Sequence, residues 1–126
     1  MSNFFSESEL SCHCGCGANK FDPHTLNRCN VLREVMGIPL IMVSGYRCPR
    51  YNSLVSDSGE NGPHTHGRAG DFSVSGLVAL KLIVAAKELG FTGFGLKQHG
   101  ANRFVHLDDL PNHYNQPRPW IWTYNL

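Results

Sequence analysis

Residues 61–72, NGPHTHGRAGDF, constrain this chain more than any other stretch. The run reads as the end of a turn-rich loop (47–63) entering a strand (68–75). Side chains alternate along a strand, so Ala69, Asp71 and Ser73 share one face. The small residues Gly67, Ala69 and Gly70 let the loop fold back, so that the His64 imidazole and the Asp71 carboxylate converge. A histidine and an aspartate are two of the three protein ligands of a catalytic zinc site, which keeps its fourth position open for water. His66 lies two residues from His64 and is read as a rim residue.

The rest of the chain supplies a frame for such a site. In FSESEL, Ser6 and Glu9 form a capping box behind Phe5 and predict a short helical turn. The segment 21–37 is a punctuated helix, with Asp22 as cap, Pro23 in the first turn, and Gly37 and Pro39 closing it. Leu26, Cys29, Leu32 or Arg33, and Met36 follow one buried stripe. IPLIMVSGY (38–46) reads as a buried strand, and 75–90 as a second helix with Ser75 at its cap and Gly90 at its end. GFGLK and NRFVHLDD read as a hairpin, and WIWTY (120–124) as a last strand. The order predicts an α+β fold, a mostly antiparallel sheet with helices packed on one face.

Length and charge narrow the function. A chain of 126 residues is expected to form one domain, 1–126, burying roughly two thirds of its unfolded surface. Lys and Arg number 11 against 10 Asp and Glu, a net charge of +1, which argues against a nucleic-acid partner bound through a basic face. The longest apolar run, GLVALKLIVAA (76–86), is broken by Lys81 and falls short of the ~20 residues of a membrane span. No membrane anchor is expected. The opening MSNFFSESEL has neither a basic n-region nor an apolar h-region, so the chain is expected to be made in the cytoplasm without a signal peptide.

The five cysteines, Cys12, Cys14, Cys16, Cys29 and Cys48, are an odd set for a disulfide framework. SCHCGCG (11–17) suggests zinc, but its C-x-C-x-C spacing departs from the paired C-x2-C of zinc ribbons. The spacing favours free thiols over a second zinc site.

The third ligand is expected on a neighbouring strand, and RFVHLDD supplies His106, on one face with Phe104 and Asp108. At this point VSGYRCPRYN, GPHTHGRAGDF and RFVHLDD together resemble the zinc D-alanyl-D-alanine carboxypeptidase family. That family includes the L-alanyl-D-glutamate peptidases of phage endolysins and shares its fold with the hedgehog signalling domain. Its pattern is Ser-x-His-x-x-Gly-x-Ala-x-Asp, with the last histidine on a much later strand. His64, Gly67, Ala69 and Asp71 match, while Gly62 stands in place of the serine. The opening F…E…CxCGCG and the closing RPWIWTY also resemble small phage and prophage members.

The resemblance implies that His64, Asp71 and His106 hold one Zn2+ per chain, and that zinc-bound water attacks a peptide carbonyl. Arg47 matches the family arginine that faces the substrate, where its fork suits a carboxylate or a developing oxyanion. Many members carry an acid three positions before the last histidine, where this chain has Arg103. Asp108 is the expected substitute as general base, with Asp109 and His99 as second choices; Asp108 could instead orient a ligand. The implied function is a peptidoglycan hydrolase cutting the stem peptide. The short length, with neither an appended binding domain nor a signal peptide, points to an endolysin-type L-alanyl-D-glutamate endopeptidase. It is expected to act as a monomer at the cell wall or periplasm after release through a holin-type pore. The alternatives are a D-alanyl-D-alanine carboxypeptidase, a cross-link endopeptidase, or a module that binds zinc without hydrolysis.

Overall fold

The computed structural model describes residues 3–113 and 115–125. Its first element, α1 (Glu7–Leu10), is a single turn closed by the predicted capping box: Glu9 N–H donates to Ser6 Oγ at 3.2 Å, and Ser6 N–H to Glu9 Oε1 at 2.9 Å. α2 (Pro23–Met36) starts on Asp22, whose carboxylate accepts from the His24 N–H at 2.7 Å, and stops where Gly37 turns left-handed. Cys29 and Leu32 are the buried centre of its stripe and Leu26 and Met36 its margins. Arg33 lies outside the stripe, over the Phe4 ring.

Among the described residues five strands, β1 (Met42–Ser44), β2 (Ala69–Phe72), β3 (Gly93–Lys97), β4 (Phe104–Asp108) and β5 (Trp120–Thr123), form one sheet in the order β1-β2-β4-β3-β5. Its first three pairings are antiparallel, including the expected β3–β4 hairpin, whereas β3 and β5 run parallel. The fold is thus α+β around a mixed sheet. Between β2 and β3, α4 (Gly76–Glu88) buries Leu82 and Ala86 in one cluster with Phe72, Phe94, Val105, Leu107 and the α2 stripe. The Leu, Val and Phe side chains each contribute roughly 1.5–3 kcal/mol when buried. This apolar face anchors the sheet to the helices. Strand alternation leaves the opposite face to Asp71, His106 and Asp108.

Two expectations need correction. The segment 38–46 is not a buried strand throughout: β1 covers only three residues at the sheet edge, with Met42 buried but Ile41 and Val43 exposed. The segment 47–63 is not all loop. It contains α3 (Pro49–Val55), which begins on Cys48 with Pro49 at its first position. Asn52 is the buried residue of α3 while Leu54 and Val55 point outward. A helix without an apolar stripe leaves no periodic signal.

Candidate metal centre

The centre is built on one row of the sheet. The antiparallel register of β2 and β4 sets Asp71 directly across from His106, with Ser44 of β1 beside Asp71 and Gly95 of β3 beside His106. The row ends on Trp122 of β5. Gly95 has a steric reason: a Cβ there would lie 2.6 Å from Trp122 Nε1. Without it, the indole leans across the row to a ring distance of 5.0 Å from His106.

His64 reaches the row from a 3-10 turn, Pro63–His66, which ends at Gly67 with φ +68. No side chain fits at Gly67, because a Cβ would lie 2.0 Å from the Lys20 carbonyl oxygen. Gly67 C=O also accepts from Asp22 N–H at 2.8 Å, pinning the turn to the start of α2.

Three donor atoms meet here. His64 Nε2 lies 3.2 Å from Asp71 Oδ1, His106 Nδ1 lies 3.1 Å from the same oxygen, and the two nitrogens are 3.3 Å apart. The second ring nitrogens are engaged elsewhere. His64 Nδ1 donates to the Gly45 carbonyl at 2.7 Å, and His106 Nε2 donates to Asp108 Oδ2 at 2.7 Å. A carbonyl accepts only, and Asp108 is ionised, so these bonds assign the ring protons away from the centre. Two lone pairs and a carboxylate oxygen then face one another in a site where all three residues are buried. Such a pocket favours a cation.

The electrostatics add a proton to this picture. Burial opposes charge on His106, yet its bonds to Asp108 and Asp71 push it up to about 9, so a metal binding at Nδ1 would displace a proton from this ring. Burial also works against ionised Asp71, but the two imidazoles hold its carboxyl well below the usual carboxylate range. His64 is held down by burial, even beside Asp71. The donor set fits zinc: bonds of ~2.0–2.2 Å in a tetrahedron place ligand atoms ~3.3 Å apart. Three protein ligands leave one position open, as in catalytic zinc sites.

Two charged groups stand behind the ligands. Arg47 Nη2 donates to Asp71 Oδ2 at 3.3 Å, its Nε to Ser44 Oγ at 3.0 Å and its Nη1 to Asn52 Oδ1 at 3.1 Å. The Arg47 N–H donates to His64 C=O at 3.2 Å, so one residue braces two of the three ligands. Asp108 lies on the far side of His106, fully buried. Arg118 grips it with Nε to Oδ1 and Nη2 to Oδ2, both at 2.9 Å. Burial resists its charge, but His106 and Arg118 outweigh that and lower Asp108 to about 2. Gly93, across the row from Asp108, leaves space that a Cβ would take from the carboxylate.

The other expected residues lie elsewhere. Asp109 is locked by Thr25, Arg28 and Arg68 at 2.9 Å each, a pin between α2 and the sheet. Arg103 is exposed and donates to the Gly100 carbonyl at 3.0 Å. His99 is exposed in the loop after β3. His66, also exposed, lines a groove of about 790 Å3 with Asn61, Arg68, Leu110, Pro111 and Gln116, beside the turn that carries His64. Arg118, Asn52 and Trp122 were not expected from sequence as parts of the centre. Arg118 had no readable signal, since its partner is fixed only by the return of the chain into β5.

The cysteines are free thiols, and four of them converge. Cys29 is a core thiol of α2, but Cys12, Cys14, Cys16 and Cys48 bring their sulfurs within 4.8 Å of one another.

Neither a search of curated proteins nor one of solved structures returned a match. A family model described as Peptidase M15 matches residues 3–108, a span that holds His64, Asp71 and His106 and ends on Asp108. The chain belongs to the peptidase M15 family, a family of zinc metallopeptidases.

Proposed function

We propose that this chain is a zinc-dependent murein peptidase that cuts the stem peptide, as an endolysin-type L-alanyl-D-glutamate endopeptidase. The observation that carries the reading is the convergence of His64 Nε2, Asp71 Oδ1 and His106 Nδ1 at 3.1–3.3 Å within a chain matched as Peptidase M15. Bound by these residues, zinc would supply a Lewis acid that polarises the scissile carbonyl and eases deprotonation of water.

The chain's own groups do the positioning. Gly45 C=O and Asp108 fix the ring orientations of His64 and His106, so both present a lone pair without reorganisation. Arg47 holds Asp71 and presents a partly exposed guanidinium at the same point, suited to a substrate carboxylate or to charge developing on the carbonyl oxygen. The D-glutamate next to the proposed scissile bond carries such a carboxylate. The groove past His66 is large enough for a short peptide segment. Asp108, the general base expected from sequence, is better suited to orienting His106, because His106, Arg118 and the Leu110 N–H already occupy its oxygens.

The choice of bond rests on the likeness of the opening and closing segments to small phage and prophage members, which also supports release to the wall through a holin-type pore. Among the described residues no helix is long and apolar enough to cross a membrane. Digestion of purified murein, with new termini identified by mass spectrometry, tests the reading. New L-alanine carboxyl and D-glutamate amino termini are expected. Release of terminal D-alanine would assign a carboxypeptidase, and a cut cross-link the corresponding endopeptidase. No cleavage by zinc-loaded protein would favour the non-catalytic module, the reading that Arg103 at the usual acid position supports.

A further inference from the structure

We propose that Cys12, Cys14, Cys16 and Cys48 form a second metal site, a closed four-thiolate zinc site that is structural and secures the chain segment behind the His/Asp centre. The four sulfurs lie within 4.8 Å of one another, with Cys12 and Cys14 at 3.4 Å and Cys14 and Cys48 at 3.7 Å. A tetrahedral site with Zn–S bonds of ~2.3 Å has sulfurs ~3.8 Å apart. The Cys12–Cys14 and Cys14–Cys48 spacings lie near that value, and no pair of sulfurs exceeds 4.8 Å.

Packing does not explain it. Cys14 and Cys16 are exposed, in contrast to Cys29, which sits in the core. The loop that carries them is bent for convergence. Gly15 and Gly17 take φ of +94 and +74 in open surroundings, and the Cys12 N–H closes the loop on Ala18 C=O at 2.9 Å. No neighbouring atom lies near enough to exclude a side chain at these glycines, so their backbone turn is what the loop uses. Amide groups also point at sulfur. The Cys48 N–H approaches Cys12 Sγ at 3.4 Å, the Cys14 amide serves the same sulfur, and the Cys16 amide serves Cys14. Donors around sulfur favour the thiolate, the form that binds metal.

Four thiolates in a tetrahedron select zinc or iron among common metals, and with four protein ligands no position is left for substrate. The role is therefore mechanical. Cys48 follows Arg47 directly, Tyr46 N–H donates to Leu10 C=O at 2.9 Å, and Gly45 C=O holds His64. A metal at the four sulfurs would clamp residues 45–48 to the N-terminal loop and so steady both Arg47 and the carbonyl that orients His64.

The test uses the full chain, produced with zinc and purified under reductant, with metal counted by mass spectrometry. About two zinc ions per chain are expected, falling to about one in His64→Ala/His106→Ala and to about one in Cys14→Ser/Cys16→Ser. Cobalt substitution gives a readout independent of activity. Thiolate-to-cobalt charge-transfer absorption should persist in the His64→Ala/His106→Ala chain, whose cysteines are intact, and vanish in Cys14→Ser/Cys16→Ser. If the cysteine variant fails to fold, the histidine variant alone decides. One zinc per wild-type chain, with the exposed Cys14 and Cys16 thiols open to Ellman's reagent, would overturn the proposal. So would a disulfide among the four, or iron in place of zinc.

Discussion

Among the described residues, side chains able to hold a metal gather at two places that are built in opposite ways. The His/Asp centre takes its donors from a 3-10 turn and two central strands, and each donor is buried. Behind every ligand stands a partner: Gly45 for His64, Arg47 for Asp71, and Asp108 with Arg118 for His106. The cysteine knuckle takes three of its four donors from one short surface loop, two of them exposed, and has only backbone amides behind its sulfurs. The frame of the first exists through strand register and core packing alone. The second has almost no core, so a metal there would supply the order. A site meant for reaction needs rigid orientation with an open position; one meant for stability needs only closure.

The sharpest way to break this contrast is to remove a ligand of the centre. His106→Ala should reduce murein cleavage to background while leaving the thiolate absorption of the cobalt-loaded chain intact; assay and spectrum on one preparation would show both. Arg47→Ala should keep metal at both places and lower kcat/KM by ~10²–10³-fold, the usual loss for a group stabilising developing charge. Steady-state kinetics on a stem peptide, with metal analysis, would check it. Loss of zinc instead would mean that Arg47 only braces Asp71. Asp108→Asn separates orientation from proton transfer. As a positioning residue it should weaken zinc binding and activity together by ~10–100-fold, with partial rescue by excess zinc. Activity lost at undiminished zinc affinity would return the role of base to Asp108. Gly95→Ala should have the smallest effect, destabilising by ~1–3 kcal/mol through overpacking against Trp122, in a denaturant titration.

The two regions also differed in how legible they were. His64, Asp71 and His106 could be placed together from sequence because strand alternation and a small-residue turn are local signals. The capping box of α1 and both ends of α2 were readable for the same reason. Asn52 was hidden because α3 has no apolar stripe, so its segment looked like loop. Arg118 meets Asp108 only once β5 has returned beside β3, a parallel pairing that alternation cannot announce. The convergence of the four cysteines was the least legible feature. Their spacing resembles no paired zinc motif, and Cys48 joins the rest across 34 residues from Cys14 through the docking of α1 against β1.

The most direct measurement is murein digestion by one preparation in three states: zinc-loaded, chelator-treated, and reloaded with zinc. New L-alanine carboxyl and D-glutamate amino termini are expected in the first and third states and none in the second. Intact murein in all three states, with zinc demonstrably bound at His64, Asp71 and His106, would contradict it.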